Sequence, residues 1–249
     1  MIFSGHPTGR AGTLVLLAAL ALLTACVQPP RPDGINDPFE PRNRRVHEFN
    51  KALDSGLVKP TSKAYDSITP DPVVRGVDNF AANLALPGMI ANNLLQLELA
   101  DAFVNLARFA MNSTIGLAGV FDVATQNGLT EQTTDFGETL FVWGVPEGRY
   151  VELPFFGAST ERDTAGLVVD FVLDPSRLLL PRGQRWLGPT AYVLNRLGDR
   201  SRYSDLVESI FYESADSYAQ ARLLYLQNRR KELYGSISDA DLEDPYADF

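Results

Sequence analysis

The side chains that could carry covalent or proton-transfer chemistry are few: one cysteine, Cys26, two histidines, His6 and His47, and some serines and carboxylates beside turns. A serine hydrolase needs an imidazole within reach of its nucleophile. His47 is the candidate, and its place beside Phe49 in an amphipathic run predicts a helix-surface or interface histidine instead. Gly157-Ala158-Ser159-Thr160-Glu161 lacks the second glycine of a nucleophile elbow. Asp122 with Asp135, and Asp163 with Asp170, pair acids at turns or helix ends, where capping and turn duty account for them. One cysteine allows no intramolecular disulfide and no Cys-based zinc site. No Walker loop or dinucleotide fingerprint occurs. The sequence therefore predicts no catalytic residue, no metal and no cofactor.

The cysteine has a different chemistry. Leu23-Thr24-Ala25-Cys26 ends an uncharged apolar run of 13 residues, Ala11 to Leu23, preceded by Arg10. As a helix that run spans about 20 Å, short of the roughly 30 Å hydrocarbon core and suited to a signal peptide. The four residues look like a bacterial lipobox. Small side chains admit the peptidase to the backbone, and the thiol takes up the diacylglyceryl group before Cys26 becomes the first mature residue. Residues 1–25 are read as the signal peptide. Two or more acyl chains anchor a protein stably without a spanning helix. Val27 fits export to the outer membrane, because enterobacterial sorting retains lipoproteins with Asp at that place.

Residues 26–35 carry Pro29, Pro30, Pro32 and Gly34, a tether that reaches roughly 30 Å if fully extended. The whole chain has 249 residues and a formal net charge of -9, which lacks the basic footprint of a nucleic-acid binder. Cleavage removes Arg10, leaving 21 basic against 31 acidic side chains and His47 as the one mature histidine. After the signal peptide there is no run of 18 apolar residues, so no conventional spanning helix is predicted. Residues 234–249 form an acidic tail with five acids in the last eleven positions.

Between tether and tail the pattern is mostly helical. Asp37 as cap, Pro38 and Glu40 predict a helix carrying Val46, Phe49, Asn50 and Leu53, with Gly56 as its stop. Asp71-Pro72 opens a second, with Val73, Val77, Phe80 and Leu84 on one face. Residues 91–110 place Leu94, Leu95, Ala102, Phe103, Leu106 and Phe109 at helical spacing. Ser159 or Thr160 caps a helix running to Val172 and closed by Asp174-Pro175, and Ser217 to Leu233 is a further helix with Tyr218, Ala221, Tyr225 and Leu226 on a stripe. Only Arg149 to Leu153 alternates like a strand. Eight of the 19 glycines lie between Gly116 and Gly166, which predicts turns and short elements there.

Arg177, Arg182, Arg185, Arg196, Arg200 and Arg202 are opposed only by Asp199 and interleave with Leu178 to Leu180 and Trp186-Leu187. Two readings stand. The set contacts lipid headgroups, guanidinium on phosphate and apolar groups below, with Arg182, Arg185 and Trp186 foremost; or it pairs with acids elsewhere on the surface.

Six segments carry a family resemblance: Asn36 to Arg44 (NDPFEPRNR), Phe109 to Gly116 (FAMNSTIG), Gly119 to Ala124 (GVFDVA), Asp135 to Leu140 (DFGETL), Trp143 to Pro154 (WGVPEGRYVELP) and Phe155 to Asp163 (FFGASTERD). In this order, behind a lipobox, they resemble the MlaA/VacJ lipoproteins over about Asn36 to Lys231. One departure is Arg42, where the family commonly has an aromatic. The resemblance implies a mostly α, ring-shaped single domain over residues 36–233. It implies embedding in one leaflet of the outer membrane and an amphipathic central channel for phospholipids. Implied partners are an outer-membrane porin trimer and a periplasmic lipid carrier of the Mla type, the carrier delivering to an ATP-driven inner-membrane complex.

Moving a phospholipid breaks no covalent bond, which agrees with the absent nucleophile; a water-lined path lowers the cost of taking a charged headgroup past hydrocarbon. Asn112, Ile115, Gly116 and Gly119, with Trp143, Gly144, Gly148 and Tyr150, are the candidate wall or gate, glycines beside bulky apolar groups. Tight turns between helices are the other reading of those glycines. Two rival functions remain at this stage: a porin-associated lipoprotein that stabilises the envelope without moving lipid, and a membrane-anchored hydrolase dependent on His47.

Overall fold

A computed structural model describes residues 32, 34–173 and 180–235. The signal peptide, Cys26, most of the tether, Asp174-Pro175, Arg177 to Leu179 and the tail from residue 236 lie outside the described residues. The architecture is almost wholly helical, with helices α1 (Glu40–Leu53), α2 (Lys59–Ile68), α3 (Asp71–Leu95), α4 (Leu99–Thr114), α5 (Val123–Gln126) and α6 (Phe136–Val142). The hairpin of β1 (Tyr150–Leu153) and β2 (Gly157–Thr160) follows, then α7 (Glu161–Leu173), α8 (Leu187–Arg202), α9 (Ser204–Glu208) and α10 (Ser217–Tyr234). The strands pair antiparallel, Tyr150 opposite Thr160 and Leu153 opposite Gly157. Among the described residues no helix is long and apolar enough to cross a membrane.

Neighbouring elements close a circuit. Helix α1 runs through a π-turn, Asp54–Val58, into α2, which packs on α8; α8 packs on α3, α3 on α6, α6 on α7, and α7 on the hairpin, which returns to α1. This is the ring order expected of the fold. At the contact of α6 and α7 the backbones touch: a Cβ on Gly166 would lie 2.3 Å from the Gly137 nitrogen, so only glycine fits.

Three expectations are corrected. Asp37 does not cap α1, whose N-cap is Phe39 without a side-chain cap. Its carboxylate instead accepts from Asn43 (2.9 Å), Arg222 (2.6 Å) and the Tyr218 hydroxyl, fastening the chain entry to α10. Gly56 does not stop the helix, because the π-turn carries it onward and aims Asp54 at Arg200 (2.8 and 2.9 Å). The helical pattern over 91–110 is broken at Gln96–Glu98. Leu97 takes φ 64° and the Glu98 N–H closes on the Asn93 carbonyl at 2.8 Å, so α3 and α4 form an antiparallel hairpin. Two further readings hold: Thr160 Oγ1 accepts from the Asp163 N–H and caps α7, and the helix from Ser217 forms, capped through Ala219 N–H by Asp216, which the spacing does not name.

The packing has two characters. Tyr150, Tyr218 and Leu226 form an aromatic core between the hairpin and α10. Along α3 and α4 the buried residues are instead mainly polar: Asn83, Asn92, Asn93, Asn105, Arg108 and Asn112 beside Leu86 and Ala102. The same helices expose Leu94, Leu95, Leu99, Phe103 and Leu106. Apolar spacing predicted the helices, but most of that stripe faces outward.

Candidate functional site

Helix α4 sets the geometry of the inverted half. Asn105, Arg108 and Asn112 recur at helical spacing and point inward, where each must find partners or pay the desolvation cost of a buried polar group. Asn105 donates to Asn93 Oδ1 (2.9 Å) and the Gln132 carbonyl (2.8 Å), and accepts from Gln132 N–H (3.1 Å). Arg108, 4% exposed, donates to Thr125 Oγ1 (2.9 Å), Asp122 (3.3 Å) and the Leu129 carbonyl, with Glu131 at 3.7 Å. Asn112 donates to Asp122 Oδ1 (3.0 Å) and accepts from Ala124 N–H (2.9 Å). Further along α3, the Thr139 hydroxyl donates to Asn92 Oδ1 (3.0 Å), and Asn92 donates to Asp170 (3.1 Å). Asp170 also accepts from Phe136 N–H at 2.9 Å.

Burial raises the Glu131, Glu138 and Asp170 carboxyls above their ordinary range; Arg108 offsets part of this for Glu131. Burial would also raise Asp122, but hydrogen bonds from Thr125 and Asn112 and the Arg108 charge bring it below.

The candidate gate residues fall in two places. Asn112 lies in the last turn of α4, and Ile115, Gly116 and Gly119 follow in the turn after it. Gly116 lies against the Phe121 carbonyl, which an added Cβ would meet at 2.2 Å, and Gly119 (φ 95°) lies against the Asn83 side chain. These two glycines are required by a tight turn, while Ile115 and Leu117 stand 66% exposed beside them. Trp143, after α6, donates its indole N–H to the Leu95 carbonyl (3.1 Å) and packs edge-on to Phe136. Asn83 lies midway along α3 and Leu95 at its C-terminal end, roughly 18 Å apart along the axis. The two groups are therefore not brought together. Gly144 and Gly148 take φ 84° and 77° on the way to β1. Tyr150 is 1% exposed in the aromatic core, with its hydroxyl on Glu152.

The arginine run divides. Arg200 pairs with Asp54 and Glu208, and Arg202 with Asp78 and Asp199, so the surface-pairing reading describes these two. Arg182, Arg185 and Trp186 are exposed in and after a 3₁₀ turn, Arg182–Gln184. Of the acid pairs, Asp122 and Asp135 cap α5 and α6 as expected. Asp163 and Asp170 instead make long-range ties, Asp163 to Arg229 and Tyr225 of α10.

His47 is not on the surface of α1; it is 1% exposed at the interface that α1 makes with β1 and α10. Its Nδ1 is 3.3 Å from Glu152 and its Nε2 3.1 Å from Ser217 Oγ. That chain of contacts has the order of a hydrolase triad. All three residues are buried, though, and the edges of Phe211 and Tyr218 cover the imidazole. The arrangement joins α1, β1 and α10 rather than facing a substrate. Among the described residues, no group of three or more His, Cys, Asp or Glu could hold a metal ion.

A family model described as MlaA lipoprotein matches residues 35–232. The chain belongs to the MlaA family. Among curated MlaA relatives, the intermembrane phospholipid transport system lipoprotein of Escherichia coli strain K12 is 33% identical over 199 residues, 78% of this chain and 77% of the relative. That of Haemophilus influenzae is 32% identical over 222 residues, 86% of each chain. A solved MlaA structure, concerned with the structural basis for maintenance of bacterial outer membrane lipid asymmetry, superposes with a TM-score of 0.67 at 30% identity. It covers 77% of this chain and 96% of that one.

Sequence reading missed the buried amides and Arg108. The signal was present: Asn105, Arg108 and Asn112 have the same helical period as the apolar stripe, and period alone does not say which stripe is inside.

Proposed function

We propose that this protein is an outer-membrane lipoprotein of intermembrane phospholipid transport that maintains lipid asymmetry by withdrawing phospholipid from the outer leaflet. The supporting observation is the inverted α3–α4 hairpin, polar and hydrogen-bonded within and apolar without. In water such a surface is costly; among acyl chains it is the stable arrangement. The MlaA relatives, named for phospholipid transport, point the same way. The proposed action is non-enzymatic: the headgroup stays solvated along a polar path while the tails follow an apolar wall. Acylated Cys26 and the tether 26–35 hold the body at the periplasmic face. A porin trimer is the proposed neighbour in the membrane, and a periplasmic lipid carrier of the Mla type takes the lipid onward.

Ile115 and Leu117 at the α4 turn and Trp143 near the end of α3 are two separate proposed moving points on the wall, with Gly116, Gly119, Gly144 and Gly148 shaping their turns and Asn112 tethering the first; Tyr150, in the aromatic core, is not among them. Valine at Gly116 would break the turn itself. Ile115→Ala and Trp143→Ala are therefore the informative variants, and both should change lipid passage in folded, anchored protein. Unchanged passage in both would remove the gate.

The deciding experiment measures outer-leaflet phospholipid in a strain lacking the gene, complemented with wild type or Cys26→Ala. Exposure that rises on deletion and falls only with the acylatable form supports the proposal. No rise with normal porin would reject it, and lost porin alone would favour an envelope scaffold.

A further inference from the structure

Helix α8 presents two faces of opposite design. Its inner face is pinned: Asn195 donates to Asp78 (3.0 Å), Arg202 reaches Asp78 (2.6 Å), and Ala191 and Gly198 are buried between them, while Arg200, one turn beyond Arg196, closes the far end of the helix on Asp54. Nothing on the outer face is fastened in this way. Trp186 is 62% exposed, Tyr192 48% and Val193 55%. Arg182 and Arg185 are exposed and have no ion-pair partner among the described residues. Arg196 lies over the Tyr192 ring at 5.1 Å, 64% exposed, with Asp199 at 4.0 Å. From Arg182 to Leu197 the sequence contains no acid.

We infer that this outer face is a docking surface for anionic phospholipid headgroups. Charge complementarity selects the occupant. The chain carries a net charge of -9, so an anionic bilayer repels it except where cations cluster. Here Arg182 and Arg185 before the helix and Arg196, roughly 15 Å along it from Trp186, bracket the exposed Trp186, Tyr192 and Val193. Arginine matches a phosphodiester with two parallel donors, and tryptophan and tyrosine favour the headgroup level. The rigid inner face fixes α8 to the fold, so docking this surface sets the depth and tilt at which the body sits. The inference rests on the outer-membrane reading above and adds to it a headgroup charge preference.

The test is flotation of the full mature chain carrying Cys26→Ala, so that the acyl anchor does not mask weaker binding. Vesicles of phosphatidylethanolamine with phosphatidylglycerol are compared with vesicles of phosphatidylethanolamine with phosphatidylcholine. Wild type should partition more strongly onto the anionic vesicles, with the preference eroded by salt. Arg182→Gln, Arg185→Gln and Arg196→Gln together should remove roughly a hundredfold of it, about fivefold per arginine. Trp186→Ala should weaken binding to both compositions. Arg42→Gln with Arg45→Gln, exposed on α1, is the control and should leave the preference intact. Inorganic phosphate at millimolar concentration should compete little, which separates a lipid surface from a free-phosphate site. An equal preference in the triple variant, or no preference in wild type, would overturn the inference. Lipid passage through the acylated protein is read separately, so loss of passage with intact anionic preference would reject the transport reading alone.

Discussion

The α3–α4 half and the α1–hairpin–α10 half of this molecule bury different side chains. Around the hairpin, rings pack inside beside buried ion pairs: Tyr150, Tyr218 and Leu226 are buried, Arg230 meets Glu147 and Arg222 meets Asp37 below the surface, and Arg44 meets Asp216 and Glu40 at a half-exposed edge. Along α3 and α4, amides and a guanidinium are inside, while Phe103, Leu106 and Leu99 face out at 50–71% exposure. Under the proposed function, the outward apolar face of the second half lies among acyl chains, which do not compete for hydrogen bonds. Its polar interior holds because nearly every inward group has a partner.

The largest effect should come from breaking that interior. Arg108→Met takes the cation from Asp122 and Glu131, each about a quarter exposed, and the donor from the Leu129 carbonyl, and should cost about 2–4 kcal/mol. Chemical denaturation in detergent reads the loss. A cost below about 1 kcal/mol would mean that water already satisfies those acids. The matching change in the other half is His47→Ala. It removes a ring from the core and takes one polar partner each from Glu152 and Ser217, at about 2–3 kcal/mol. It should lower stability without abolishing lipid passage, whereas a catalytic His47 would lose activity in folded protein.

A third change sharpens the comparison from outside. Phe103→Ser, on a side chain 71% exposed, should leave folding stability within about 0.5 kcal/mol. Vesicle partitioning should weaken by about 1.5–3 kcal/mol if the ring lies among acyl chains. A polar swap at buried Ser62 or Asn93 would show the reverse dependence, with stability falling first.

Much of the hairpin half was legible in the sequence. The Tyr218, Tyr225 and Leu226 stripe, the Thr160 cap and the alternating strand obey ordinary water-soluble rules, and each was found where local spacing placed it. The partners of Asp37 and Asp54 were not, because a carboxylate at a helix start reads as a cap and its long-range arginine is invisible locally. The π-turn was missed because it looks like helix continuing past a glycine. The inversion of α3 and α4 was missed for a deeper reason. A helical period gives two stripes, and assigning the apolar one to the inside assumes water outside.

The two halves should also part under acid, with the smallest effect of the set. Burial holds Glu131, Glu138 and Asp170 of the polar half above the ordinary carboxylate range. The folded state then binds protons that the unfolded chain has released. Stability from these groups is present below the ordinary range and is lost as pH rises through their raised values. Asp216 of the other half runs opposite. The Arg44 hydrogen bond, against some burial, holds it down at about 2. Its contribution is present above the ordinary range and is lost as pH falls toward 2. Asp163 follows the same sign, since Arg229 and Arg162 outweigh the burial that would raise it. Mild acid should therefore stabilise α3–α4 slightly, and strong acid should loosen α10 from α1. The lower limb amounts to about 1 kcal/mol or less, because both side chains of the Arg44–Asp216 pair are 39% exposed and screened by solvent. Denaturation midpoints measured from pH 7 down to pH 2 should show the two limbs. Glu138→Gln should flatten the upper limb and Asp216→Asn the lower, each leaving the other in place. If either substitution flattened both, the halves would titrate as one unit and the division between them would fail.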